Sequence, residues 1–152
     1  VQELLDAAGK YFKKLMKNRP ERIELEIEPM EAKVIGDVNQ LRFLLENLID
    51  EALTVREDGV IRLQARKDNE YIRFLFTDTR REKSVEELNQ LFYPNLARMT
   101  SGEKGELRGT EYLVCKQIIR DHDEFAGRRG CRINAEPAEG GGFTVYFTIP
   151  RR

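Results

Sequence analysis

The sequence predicts an α+β domain: a two-layer sandwich whose mixed, mostly antiparallel sheet is covered on one face by helices. Three observations carry this. Apolar residues recur at helical spacing in three separate stretches. Several short segments alternate strictly between apolar and polar residues, the mark of strands with one wet face. The chain has 152 residues, and a chain of this size buries roughly 68–70% of its unfolded surface, enough for one core. Lys and Arg number 26 against 27 Asp and Glu, a net charge of −1, so the basic excess of a general nucleic-acid binder is missing. No apolar run reaches the ~18 residues of a membrane span. The start, Val1-Gln2-Glu3, resembles neither a signal peptide nor an initiator, so the chain reads as part of a longer protein.

Residues 1–18 read as an amphipathic helix, with Leu4, Leu5, Ala8, Tyr11, Phe12 and Leu15 on one side. Asn18-Arg19-Pro20 ends it, because the residue before proline is pushed out of the helical region. Ile23 to Ile27 alternates as a strand, Pro29 breaks it, and Ala32-Lys33-Val34-Ile35 reads as a second short strand. Gly36-Asp37 leads into the strongest helix, about 38–54, with Leu41, Leu44, Leu45, Leu48, Ala52 and Leu53 at helical spacing.

Two alternating strands follow, about 60–66 and 71–77, with Asp68-Asn69 suited to the hairpin turn between them. Ser84 with Glu87 three residues on is a capping-box signal for a short helix through Leu91 or Phe92. Residues 93–108, carrying Pro94, Gly102 and Gly105, read as a loop. A helix is expected over about 110–124, and Gly127 to Gly130 reads as a turn. Two last strands, through Ile133 and Ala135 and through Phe143 to Ile149, flank Gly140-Gly141-Gly142. Cys115 and Cys131 form no CxxC pair and His122 is the sole histidine, so a zinc site lacks ligands. Both thiols read as buried and reduced, and His122 as a surface or capping residue near a helix end.

The segment Gly36-Asp37-Val38 through Asn47-Leu48-Ile49-Asp50-Glu51-Ala52-Leu53 resembles the N-box helix of sensor histidine kinase ATP-binding domains. Asp78 at a strand end, the short helix closing in Leu91-Phe92, the run Leu107-Arg108-Gly109-Thr110-Glu111 and the closing Gly142 to Pro150 strand continue that resemblance in order. It covers about residues 20–150. It implies the wider fold group of gyrase and Hsp90 ATPases, with ATP between helices and a mobile lid. It divides the chain into an N-terminal helix, residues 1–19, as the tail of a preceding dimerisation region or a linker, and an ATPase-like domain, residues 20–152.

The resemblance implies binding roles for Asn47, Glu51, Asp78 and Gly109, and no catalytic residue of the chain's own. In the family two asparagines one turn apart face the triphosphate, and the second helps hold Mg²⁺. Asn47 matches the first, and Glu51 stands at the second, where a carboxylate is still a hard-oxygen ligand. The family's first glycine box has an aspartate that bonds the adenine amino group, then two glycines that let the chain wrap the base. Here Asp78 is kept and the following residues are Thr79-Arg80-Arg81-Glu82. Long charged side chains there fill space that glycine leaves open, though one arginine has the reach to meet a phosphate. Of the second box only Gly109 is kept, and Glu111 at the helix start supplies a carboxylate where a phosphate is expected.

Bland readings stand beside these. Asn47 is a polar residue on the exposed edge of a packed helix, Asp78 a loop cap, and Arg80, Arg81, Arg128 and Arg129 a solvated surface. Lys104 and Arg108 belong to a charged loop. Tyr112 is expected in the core.

The preferred reading is a histidine kinase-like ATP-binding domain of a two-component signalling protein. It is degenerate, with nucleotide binding weak or lost, and acts as a signalling or interaction module. The alternative is a working Mg-ATP-binding catalytic domain that phosphorylates a histidine in a neighbouring domain; a third reading keeps only the topology. The implied cofactors are ATP and Mg²⁺ where the site works and none otherwise. The implied partners are a dimerisation and histidine-acceptor domain and a response regulator, with homodimerisation left open and neither nucleic acid nor direct membrane contact. The implied location is cytoplasmic, including as the cytosolic part of a membrane-bound sensor.

Overall fold

The computed structural model describes residues 1–92, 111–126 and 131–152. Its elements run α1 (Gln2–Met16), β1 (Ile23–Ile27), α2 (Val38–Ala52), β2 (Gly59–Asp68), β3 (Tyr71–Asp78), α3 (Val85–Gln90), α4 (Glu111–Ala126), β4 (Ile133–Pro137) and β5 (Phe143–Pro150). The five strands form one sheet in the order β1-β2-β3-β5-β4. β1 runs parallel to β2, and every other pairing is antiparallel.

Alternation decides which strand residues turn inward. Ile61, Leu63 and Ala65 of β2, Ile72, Phe74 and Phe76 of β3, and Val145, Phe147 and Ile149 of β5 are all buried. Phe74 and Phe147 sit opposite one another in register and stack at 4.8 Å between ring centroids. The helix layer contributes Leu41, Leu44, Leu45, Leu48 and Ile49 from α2, and Cys115, Ile118 and Ile119 from α4. Leu4, Leu5, Ala8 and Phe12 of α1 enter the same core. The Tyr11 hydroxyl donates to Asp50 on α2 at 2.6 Å, and burial, then this carboxylate, hold the phenol well above its usual range.

Local signals also act as expected. Ser84 Oγ accepts from Glu87 N while Glu87 reaches back to Ser84 N, a complete capping box. The hairpin between β2 and β3 closes on the pair Asp68 and Tyr71, with Asn69 at φ 54° taking the left-handed turn position that Asn tolerates. Tyr112 is buried and meets Phe92 edge to face.

One element differs from expectation: Ala32 to Ile35 is not a strand. Val34 makes a single bridge to Arg151, flanked by Ile35 N to Pro150 O and Arg152 N to Lys33 O. β4 pairs only as far along β5 as Phe147, and the short edge beyond it holds one bridge rather than a ladder. The expected loop at 93–108 and the turn at 127–130 lie outside the described residues.

Candidate functional site

α2 and the end of β3 frame the site. α2 begins at Asp37, whose side chain accepts from Gln40 N at 3.1 Å. Its C-terminal carbonyls emerge beside the loop that leads into β2, and β3 delivers Asp78 to the same place. Behind Asp78, Gly142 at φ 84° packs so closely that a Cβ there would collide with the Asp78 carbonyl oxygen.

The Asp78 carboxylate is occupied by the chain itself. Arg80 Nε donates to its Oδ1 at 2.9 Å and Nη2 to its Oδ2 at 2.8 Å, a two-point ion pair. The same guanidinium turns to the end of α2 and the loop beyond it: Nη2 donates to Ala52 O at 2.5 Å, and Nη1 to Val55 O and Glu57 O at 2.9 and 3.1 Å. A guanidinium has five N–H donors, and here each one has its own acceptor. Arg80 N also donates to Asp78 Oδ1 at 3.0 Å. The two side chains are 1% and 5% exposed. Arg80 is therefore neither solvated surface nor a reach toward phosphate, because the Ala52 carbonyl at the end of α2, the loop carbonyls of Val55 and Glu57 and the buried carboxylate attract it inward.

Space for this arrangement comes from Gly59, at φ 149°, where a Cβ would lie 2.5 Å from Arg80 Cγ. Arg81 points the other way, to Glu57 on the surface at 3.0 Å, and that contact holds the Glu57 carboxyl below its usual range. Sequence reasoning missed Gly59, Gly142 and the inward turn of Arg80. The nearest signal was the spacing Asp78-x-Arg80, which puts both side chains at one strand end.

Asn47 is buried on α2 and donates from Nδ2 to Phe43 O at 2.7 Å, one turn back on its own helix; the exposed-edge reading gives way. Glu51 is half-buried one turn further on. Asp50 is engaged by Tyr11 and faces α1. Gly109, Lys104, Arg108, Arg128, Arg129 and the Glu111 side chain lie outside the described residues.

His122 is buried, 6% exposed. Asp37 N–H donates to its Nε2 at 3.0 Å, so Nδ1 carries the ring hydrogen toward Ile118 O at 2.8 Å. Gly36 admits the ring, since a Cβ there would lie 3.0 Å from it. His122 thus ties α4 to the start of α2 rather than meeting solvent. Cys131 is buried, and burial, then the Asp123 carboxylate, push its thiol up to about 11.

These groups decide the fit of the family's ligands. Asp78 keeps its place at the end of β3, and both of its carboxylate oxygens accept from the Arg80 guanidinium. Among the described residues no cluster of three or more His, Cys, Asp or Glu side chains is present. Mg²⁺ usually keeps one or two carboxylates and substrate phosphates as ligands, and Glu51 with Asn47 does not make a cage for it alone.

A helix-covered mixed sheet with an N-box helix and an aspartate at the end of its central strand defines a class of ATPase. Residues 36–152 match the family of histidine kinase-, DNA gyrase B- and HSP90-like ATPases, and the chain belongs to it. Its fold is that of histidine kinase catalytic domains. The nucleotide-free catalytic domain of the histidine kinase ThkA superposes with a TM-score of 0.76 at 22% identity, over 99% of this chain and 92% of that one. The mycobacterial sensor histidine kinase MprB gives 0.68 at 18% identity, over 97% of this chain and 93% of that one. ThkA in complex with its response regulator TrrA gives 0.72 at 19% identity, over 100% of this chain and 40% of that one. At these identities the likeness is one of fold. No curated protein sequence matches the chain.

Proposed function

We propose that this chain is the ATP-binding-type domain of a two-component signalling protein whose nucleotide site is degenerate, so that nucleotide binding is weak or lost. In this reading it acts as a signalling and interaction module in the cytoplasm. The observation that supports it is the Arg80 guanidinium, bound at both oxygens of Asp78 and at three carbonyls. Asp78 is the residue whose family counterpart bonds the adenine amino group. A ligand taking that carboxylate has to expel a buried cation and take its donors away from the Val55 and Glu57 carbonyls of the loop after α2.

The complex of ThkA with its response regulator supports a reading of the partners. A dimerisation domain with an acceptor histidine, and a response regulator of the kind ThkA binds, are the surfaces such a module meets. Residues 1–19 serve as the connection toward that acceptor domain while packing α1 on the core.

Isothermal titration of the chain with Mg-ATP tests the proposal. No heat at millimolar nucleotide is the expected result. Saturation in the micromolar range removes the degenerate reading and favours a working catalytic domain, with Asn47 and Glu51 at the phosphates and Mg²⁺.

A further inference from the structure

We infer that the pocket around Asp78 is a receptor for a planar cation of the guanidinium or amidinium class, rather than a purine site with an obstruction in it. The inference deepens the proposed function and rests on it for the identity of the pocket. The described groups that meet the Arg80 guanidinium are two carboxylate oxygens and the carbonyls of Ala52, Val55 and Glu57. All of them are acceptors. A planar fork with five N–H donors and a positive charge complements such a set. Adenine complements it less well: its amino group offers two N–H donors but no positive charge, and its ring nitrogens are acceptors that oxygen lone pairs do not satisfy.

Two further features hold the set in place without the arginine. Gly142 backs the Asp78 main chain with no room for a Cβ, which holds the backbone that carries the carboxylate. Val55 N to Ala52 O and Leu53 N to Ile49 O keep the last turns at the end of α2 wound. That end carries the negative pole of the helix dipole, which favours a cation there. Cutting back the Arg80 side chain should therefore leave a cavity that selects positive charge and planar N–H geometry. Opening the pocket does not restore a nucleotide site.

The test uses the full chain with Arg80→Ala and follows thermal unfolding with ethylguanidinium, its neutral analogue N-ethylurea, sodium chloride at matched ionic strength, and Mg-ADP. Ethylguanidinium should raise the Tm of this variant by about 4 °C at ten times its Kd. It should leave the wild-type chain unraised, and the other three additives should do nothing comparable. Asp78→Asn combined with Arg80→Ala removes the charge, and ethylguanidinium should then give no rise.

If Arg80→Ala does not fold alone, refolding from urea with and without ethylguanidinium decides. Recovery of the native circular dichroism only with the cation supports the inference, and failure to recover with it contradicts it. A rise with Mg-ADP instead of the cation, an equal rise with N-ethylurea, or no rise with any ligand overturns it. Saturable Mg-ATP binding by the wild-type chain would contradict the degenerate reading separately, whatever the variant shows.

Discussion

At its start, α2 is held by the Asp37 side chain, which accepts from Gln40 N, and by His122, which accepts from Asp37 N; Asp37 itself is exposed. At its end, Arg80, buried with its counterion Asp78, donates to Ala52 O and to the loop carbonyls of Val55 and Glu57 just beyond, and Arg19 donates to Leu53 O at 2.7 Å. Both ends solve the same problem, the unpaired backbone groups that every helix leaves. They differ in what disruption leaves behind. Loss of a cap beside solvent lets water take over the amide, whereas loss of the buried cation strands a carboxylate. The end that resembles a base pocket is thus the one the fold depends on more.

Arg80→Ala should break this comparison most visibly. Removing one partner of a buried pair costs about 3–5 kcal/mol, read as a drop in the urea midpoint, and a loss below ~1 kcal/mol would mean the pair is expendable. His122→Ala empties the space of a buried ring and removes its bond to the Asp37 N–H, and should cost about 2 kcal/mol by the same measurement. A nitrogen-detected spectrum of the lone histidine in the wild-type chain should show hydrogen on Nδ1. Gly59→Ala should cost about 2 kcal/mol through overpacking against Arg80 Cγ. Much of that cost should vanish in the Arg80→Ala background, a coupling that separates this clash from simple backbone strain.

Asp37→Ala at the wet end should cost only about 1 kcal/mol, the usual worth of a cap. The smallest effect is on pH. Cys131 has its thiol raised to about 11 in the folded chain, so the stability it contributes is complete below the unfolded value and is lost as pH rises through about 11. Denaturation midpoints across that alkaline window should fall with pH, and Cys131→Ala should flatten the slope.

The frame of the molecule was readable because its signals are local and periodic. Ile61, Leu63 and Ala65 alternate, Leu41, Leu44, Leu45 and Leu48 repeat at helical spacing, and Ser84 with Glu87 marks a start; each element carries its own cue. The order of landmarks from Asp37 to Pro150 then matched a family, and the fold followed from it.

The segment 32–35 was misread because its extended pattern does not reveal how much sheet edge is free to pair with it. His122 was misread because its partner, the Asp37 amide, lies 85 residues away. Arg80 shows the limit most clearly. That a charged residue replaced a glycine was plain in the sequence. That it turns inward depends on Ala52, Val55, Glu57 and Gly59 converging on Asp78, contacts 21 to 28 residues apart in the chain for which no local pattern speaks.

A crystal structure grown with saturating Mg-ADP tests the central claim most directly. The account predicts the Arg80 guanidinium still bonded to both oxygens of Asp78, with no base density beside it. An adenine ring against Asp78, with Arg80 swung out to solvent, would contradict it.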